Sequence, residues 1–419
     1  MSVRPLSIVH FSTADLTGGS ARSANRIHQG LRAAGHNSKM LVGIKTGDDP
    51  HVAMVQGGRL SQLADRIANK FSDMLGLQYL FLPSSLGLDY HPWVRDADVI
   101  ALYNTHGGYF AQSLVARLSA VAPVVWRLSD LWPMTGHCAY PGACEKWRTG
   151  CGACPDLASY PALRRDRTAY LFNKKDQIYG RCTLNIVAPS SWTETCARQS
   201  PLLGRFPVTR IPNGLEPVDF RPMDRAIARR NLGLNPDKKT ILFAAHVLDH
   251  NPRKGGDVLI EALGRLQNPQ HYALLLVGDG GESWANRIPV QVDLMGFVKQ
   301  ASKLAEIYAA ADVVAIPSEV ENLPNVLIEA LACGRAVVAS NSGGMADGVR
   351  HNETGYLARP GDADDLAHGL ANILNDPDRQ QKMETAARRL FEIQFTGEKE
   401  INRLLHLYGK VIADFRKEH

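Results

Sequence analysis

Glu321 and Glu329 stand eight residues apart in the run Glu321-Asn-Leu-Pro-Asn-Val-Leu-Ile-Glu329, which is separated by four residues from the apolar segment 312–316. That segment reads as a buried strand, Pro324 fits the first helical position, and Val326, Leu327, Ala330 and Leu331 give an apolar stripe. Glu321 then falls in a strand-to-helix loop and Glu329 one turn inside the helix. Ionised carboxylates only accept hydrogen bonds, which suits the hydroxyls of a sugar. The amides and dipole at a helix start favour a phosphate or pyrophosphate. Together they suit a nucleotide-sugar pocket. Two ordinary helix-face glutamates are the competing reading, and the spacing alone would favour them.

A second constellation is Cys138-x5-Cys144-x6-Cys151-x2-Cys154, four of the seven cysteines, in a Gly- and Pro-rich loop over 136–156. Four thiolates closing on a Cys-Gly-Ala-Cys pair make tetrahedral zinc the simplest occupant; an iron-sulfur cluster is second, and free thiols or disulfides remain. A reducing compartment argues against disulfides. Any metal here is expected to be structural. His137 could substitute as a ligand but is expected to face the cleft or solvent.

The elements that must position these residues follow a regular rhythm. Strands are predicted at 6–11, 39–42, 99–103, 124–128 and 185–188, with a helix over 20–34 closed by Gly35. A second series runs through 240–245, 273–277, 313–316, 336–340 and 355–358. Alternating strands and helices imply two α/β units with doubly wound parallel sheets, joined by a linker at 207–222. The predicted domains are 1–206, 207–396 and a terminal helix over 397–419 returning toward the first. Ligands in such sheets bind outside the carboxyl ends of the strands, at switch points in strand order. Two facing units would make a cleft. Between 60 and 75, Leu60, Leu63, Ile67, Phe71 and Met74 recur at helical spacing among Arg59, Arg66 and Lys70. Core packing explains the stripe most simply, with a membrane-touching helix as the other reading.

The chain has 419 residues, 45% of them hydrophobic and 21% charged, with a formal net charge of +5. This is a globular composition with room for two cores, and it excludes disorder. Mild basicity fits an anionic ligand or membrane surface, and no nucleic-acid motif accompanies it. No segment approaches the length of a membrane span and the N-terminus has no leader pattern, so a cytoplasmic protein is expected, with peripheral contact to the inner membrane left open.

Across nearly its whole length the chain resembles the family 4 retaining glycosyltransferases of the GT-B fold. The likeness is carried by Ile-Pro-Ser318, Glu321 to Glu329, Ala-Cys-Gly334 and Gly343-Gly344. A subgroup from bacterial capsule, O-antigen and exopolysaccharide pathways is similar through Trp132-Pro-Met-Thr-Gly136, the four cysteines and Val187-Ala-Pro-Ser-Ser-Trp192. The resemblance implies two Rossmann-like domains and retaining transfer of a sugar from a UDP- or GDP-type nucleotide sugar to a saccharide, expected to be lipid-linked. It implies that Glu329 binds the donor ribose, that Glu321 binds the transferred sugar, and that Asn322, Leu323, Asn325 and Val326 contribute backbone amides. Lys254 would neutralise the leaving diphosphate. Relatives place a second cation a few residues earlier, where this chain reads Ala-Ala-His246-Val-Leu-Asp249-His250, so Arg253 is the candidate. A solvated loop pair is the plain alternative for Arg253 and Lys254.

Gly18 and Gly19, between the first strand and helix, would let a pyrophosphate or sugar approach the backbone. Relatives often carry a His-Asp pair where this chain has Ser129-Asp130; Asp130 is kept as a catalytic candidate. His106 and Asp15 are acceptor-side candidates, a packed loop histidine being an equal reading of His106. No catalytic metal is expected. The Asp-x-Asp pairs Asp96/Asp98 and Asp362/Asp364 read as decoys, the first at the wrong end of a strand and the second in a helix's first turn. Two alternatives to a transferase stay open: a nucleotide-sugar epimerase of the same fold, and a non-catalytic sugar-nucleotide-binding scaffold.

Overall fold

The computed structural model describes residues 4–247 and 251–418. The chain divides into two compact units, one formed by 1–212 and 400–419 and the other by 213–399. The first holds strands β1 (Ser7–Ala14), β2 (Asn37–Ile44), β3 (Val52–Met54), β4 (Val99–Leu102), β5 (Val124–Arg127), β6 (Leu184–Ala188) and β7 (Val208–Arg210). The second holds β8 (Lys239–Val247), β9 (Tyr272–Asp279), β10 (Gln291–Gly296), β11 (Val313–Ile316), β12 (Ala336–Ser340) and β13 (Gly355–Ala358).

Both sheets are parallel, in the orders β3-β2-β1-β4-β5-β6-β7 and β10-β9-β8-β11-β12-β13. Strands such as β4, β5, β11 and β12 are buried along their whole length. That is why they read as continuous apolar runs rather than alternating ones. Each sheet reverses its winding once, at β1/β4 and at β8/β11, and the loops leaving those strands are where a doubly wound sheet binds ligands.

Three strands escape the sequence reading. β3, β7 and β10 are edge strands, two of them only three residues long, and β10 has no fully buried residue. An edge strand needs no continuous apolar run. β7 lies inside the stretch taken as linker but pairs with β6, so the crossing into the second unit comes after Pro212, not before Pro207.

The last helix, Gly397–Glu418, buries Ile401, Leu404, Leu407, Tyr408, Val411 and Ile412 among Ile8, Ala24, Ile27, Leu31, Met40 and Val42 of the first unit. Inside this contact Glu400 pairs with Arg127 at 2.8 Å, both side chains 5% exposed, and Arg127 also donates to the Ile211 carbonyl at 3.0 Å. No helix among the described residues is long and apolar enough to cross a membrane. Removing one partner of such a pair leaves a buried charge uncompensated, a cost of about 3–5 kcal/mol. Glu400→Ala should therefore lower the stability of the first unit by that order in urea unfolding. An Arg127→Met/Glu400→Leu double variant should recover most of the loss.

Candidate functional site

In the second unit the loops leaving β8 and β11 meet at the switch point. Glu321, 6% exposed, follows β11. Its Oε1 accepts from Lys254 Nζ at 2.6 Å and lies 2.9 Å from Arg253 Nη1, both cations coming from the short turn Pro252–Lys254 after β8. Arg253 is anchored in turn by donating to the Val320 carbonyl at 2.7 Å, while Glu319 N donates to the Arg253 carbonyl at 2.9 Å. Burial pushes the Glu321 carboxyl up, but the charges and hydrogen bonds of Lys254 and Arg253 outweigh it and hold the group below the usual glutamate range. The carboxylate is thus ionised, and the two cations are gathered rather than solvated. Residues 248–250, within the stretch where relatives place their second cation, lie outside the described residues.

Two glycines make this approach possible. Gly343, at φ +57°, sits so close to the Glu321 backbone that a Cβ there would lie 1.9 Å from the Glu321 carbonyl oxygen. Gly344 N donates to that same oxygen at 2.9 Å. Gly255, at φ +73°, stands equally close to the Pro317 carbonyl. A side chain at either position would push the loops apart.

Glu329, 7% exposed on the helix Asn325–Ala332, accepts from the Tyr308 hydroxyl at 2.8 Å. Burial, reinforced by the Glu329 charge, drives the Tyr308 phenol well above its ordinary value, so it remains a donor. Pro324 is the N-cap rather than the first helical residue, with no side-chain cap, and the helix's own bonds begin with Leu327 N donating to the Pro324 carbonyl. Asn322 and Leu323 are buried just before it, and Asn325 and Val326 are half-buried at its start. Asn213 was missed: it read as part of a linker turn, yet its Nδ2 donates to the Leu323 carbonyl at 2.9 Å and pins the loop.

The first unit gathers a second cluster at its own switch point. Ser20 Oγ, two residues past Gly18, is 2.8 Å from Asn104 Oδ1 and 2.6 Å from Ser129 Oγ. Gly18 has φ +91°, and nothing lies within 4 Å of where its Cβ would be. His106 and Asp130 come together: Nε2 to Oδ2 is 2.8 Å, with both side chains under a tenth exposed. A His-Asp pair therefore exists, with the histidine supplied by the loop after β4 instead of position 129. Asp130 Oδ1 accepts from Trp132 N at 2.9 Å, which leaves His106 Nδ1 as the buried ring atom without a hydrogen-bond partner in the cluster. Asp15 is spent locally, its oxygens accepting from Leu16, Thr46 and Gly47 amides and the Thr46 hydroxyl at 2.8–3.0 Å. Of the Asp-x-Asp pairs, Asp98 accepts from Ser7 N and Arg4, and Asp362 caps a helix through Asp365 N.

The four cysteines line one pocket together with His137, Trp147 and Thr168. None of the four is in a disulfide, and burial pushes Cys138 up to about 12 and raises Cys151 and Cys154, each feeling the charge of other cysteines in the loop. Contrary to expectation His137 is buried, its Nδ1 3.0 Å from the Pro161 carbonyl and Nε2 3.3 Å from Cys154 Sγ. Among the described residues no three His, Cys, Asp or Glu side chains stand in a metal-ligating arrangement. The ligand types for zinc are gathered in one pocket. Lys175, which sequence reading overlooked, is fully buried; it donates to the Trp132 and Thr135 carbonyls at 2.6 and 3.0 Å and lies over the Trp132 ring. Burial lowers it to about 7. It fastens residues 132 to 135, between the Asp130 turn and the cysteine loop, to the helix Thr168–Tyr179.

Residues 224–390 match the family model described as Glycosyl transferases group 1. A D-inositol 3-phosphate glycosyltransferase from Stackebrandtia nassauensis is 34% identical over 221 residues, 49% of this chain and 49% of that protein. The chain spans about half the length of the curated relatives it matches. Among solved structures, sucrose-phosphate synthase from Thermosynechococcus elongatus is similar at TM-score 0.70 and 22% identity, over 97% of this chain and 99% of that one. HepE from Anabaena, in complex with UDP-glucose, gives 0.69 and 18% over 97% and 100%. The fold is the GT-B fold of glycosyltransferases. In this GT-B chain the segment matched by the family model contains Lys254, Glu321, Glu329 and Gly343. Gly343→Ala should cost about 1–3 kcal/mol, since it places a side chain at positive φ against the Glu321 carbonyl. Urea unfolding checks the loss, with Gly361→Ala, also at positive φ but with no atom within 4 Å, as the milder control.

Proposed function

We propose that this chain is a retaining glycosyltransferase that moves a sugar from a UDP-type nucleotide sugar to a hydroxyl of a lipid-linked saccharide, at the cytoplasmic face of the membrane, in surface polysaccharide assembly. The observation that carries the transferase reading is the buried Glu321 carboxylate held by Lys254 and Arg253 at the β8/β11 switch point. A pair of cations there can share their charge between a carboxylate and an incoming diphosphate. The match to the group 1 family model supports the reaction class, and the UDP-glucose complex of HepE supports uridine as the donor base. The saccharide acceptor and its lipid rest on the sequence resemblance; the curated relatives are named for inositol phosphate, and they align with about half of this chain.

In this reading Glu329, oriented by Tyr308, accepts from the ribose hydroxyls, and Glu321 accepts from hydroxyls of the transferred sugar. The amides around 322–326 receive the diphosphate. The bond between the anomeric carbon and the phosphate oxygen breaks, with its electron pair going to the diphosphate, where Lys254 and Arg253 stabilise the charge. The acceptor oxygen bonds the same carbon from the same face, and its proton passes to the departing phosphate oxygen. Catalysis is then positioning and charge stabilisation. His106, held against Asp130, is the first unit's candidate for positioning an acceptor.

Lys254→Ala should lower the transfer rate about 10²–10³-fold, the usual cost of losing one charge-stabilising group. UDP affinity, measured by calorimetry, should fall with it. Glu321→Gln should impair transfer without unfolding the chain. Unchanged turnover in both variants sinks the roles given to these residues, UDP binding with no transfer by the wild-type chain favours a scaffold, and release of free sugar without acceptor favours an epimerase.

The cysteine pocket is part of the same proposal: Cys138, Cys144, Cys151 and Cys154 would hold a structural zinc that orders the loop. Elemental analysis of purified protein should give stoichiometric zinc, and chelation should lower the melting temperature. Protein lacking zinc and iron whose melting is insensitive to chelator would discard this assignment.

A further inference from the structure

The helix Arg59–Leu75 is built inside out. Its single buried residue is an aspartate: Asp65, 1% exposed, accepts from Ser84 N and Gln56 Nε2, each at 3.0 Å. Asn69, on the same side, donates to the Gly108 carbonyl at 2.9 Å. The helix is thus seated on the protein by its polar face. The apolar stripe that core packing was expected to absorb is turned outward instead. Leu60 is 84% exposed, Leu63 53%, Ile67 63%, Phe71 63% and Met74 50%. Phe81 and Leu86, either side of the turn Pro83–Ser85 that packs on this helix, are more than half exposed as well. An outward stripe of this size, on an element whose polar side does the docking, marks a surface with an external partner.

Charge selects the partner. At about 100° per residue the five stripe positions fall within about 80° of one another, and Arg59, Arg66 and Lys70 lie along one flank of them, all exposed. The acid nearest that flank, Asp73, is paired with Arg164 at 2.7 Å. The backbone of Arg165 packs against Gly76 at the helix's end, which brings the exposed Arg165 and Arg167 alongside, while Asp166 between them accepts from the Cys154 amide and from the Thr168 amide and hydroxyl. An apolar stripe with a one-signed basic border is what an interfacial helix presents to anionic lipid: the stripe enters the acyl boundary while the long cationic side chains reach the headgroups. A symmetric second copy would set the same basic flanks against each other, an arrangement that like charges oppose. We propose that this helix, with the flanking Phe81 and Leu86, is a docking surface for an anionic phospholipid membrane.

The test is co-sedimentation of the full chain with vesicles of phosphatidylcholine alone or mixed with phosphatidylglycerol. Binding is expected to the anionic vesicles and to weaken as salt rises. Ile67→Ser/Phe71→Ser should reduce the partition coefficient at least about tenfold. Arg66→Gln/Lys70→Gln should reduce it about fivefold per cation removed. Melting temperature and UDP binding should be unchanged in both variants, since all four side chains are exposed. Failure of the wild-type chain to bind anionic vesicles, or binding undiminished by either double variant, would overturn the proposal. So would a wild-type dimer in sedimentation velocity that Ile67→Ser/Phe71→Ser dissolves without any vesicle binding, because the face would then belong to a second copy.

Discussion

A carboxylate nearly closed off from water stays ionised only if cations stand against it, and Glu321 is the point around which the second unit's loops are arranged. Lys254 and Arg253 come from one strand end and Glu321 from its neighbour, so the charge balance works only where β8 and β11 lie side by side. Gly255 and Gly343 allow the backbones to close in, and Asn213 and Gly344 fix the loop from either side. The linkage to pH follows from the direction of the Glu321 shift. A carboxyl held below its ordinary range contributes stability that is present above that range, near pH 4.5, and lost as pH falls through the lowered value.

The first unit solves a related problem with neutral partners and one buried cation. Lys175 replaces water with two carbonyls and an aromatic face, and in doing so fastens residues 132 to 135, which run from the turn carrying Asp130 into the cysteine loop, to the helix Thr168–Tyr179. His106 and Asp130 face each other because β4 and β5 are adjacent, which no local sequence pattern announces. The expected His-Asp pair is therefore a property of the sheet rather than of consecutive residues.

The interior strands were legible because burial on both faces forces unbroken apolar runs: Val313–Ile316 and Ala336–Ser340 have the same limits in the sequence reading and in the structure. The edge strands β3, β7 and β10 were not, since each is half-wetted and two span only three residues. That Glu321, Lys254 and Arg253 belong together was implied by the family resemblance rather than by spacing, and the structure brings the three side chains into contact. Asn213, Tyr308 and Lys175 were not, because each acts on a group more than twenty positions away and nothing in its own neighbourhood marks it. The 60–75 helix shows the limit of periodicity: an apolar stripe fixes which residues share a face but not which way the face points, and Asp65 and Asn69 decided that.

The last helix has a consequence for how the chain is made. The second unit, 213–399, is one continuous stretch, whereas the first is finished by residues from 400 onward. Strands β1 and β2 are synthesised early, but the cluster holding Ile8, Met40 and Val42 is completed by Ile401, Leu404 and Tyr408, nearly four hundred positions later. Contacts of such sequence separation form late and leave apolar surface uncovered while synthesis continues. The inserted unit can close its own core first, and the sheet that left the ribosome before it must wait for the final turns of helix, so translation order and folding order are reversed for the two halves of this protein.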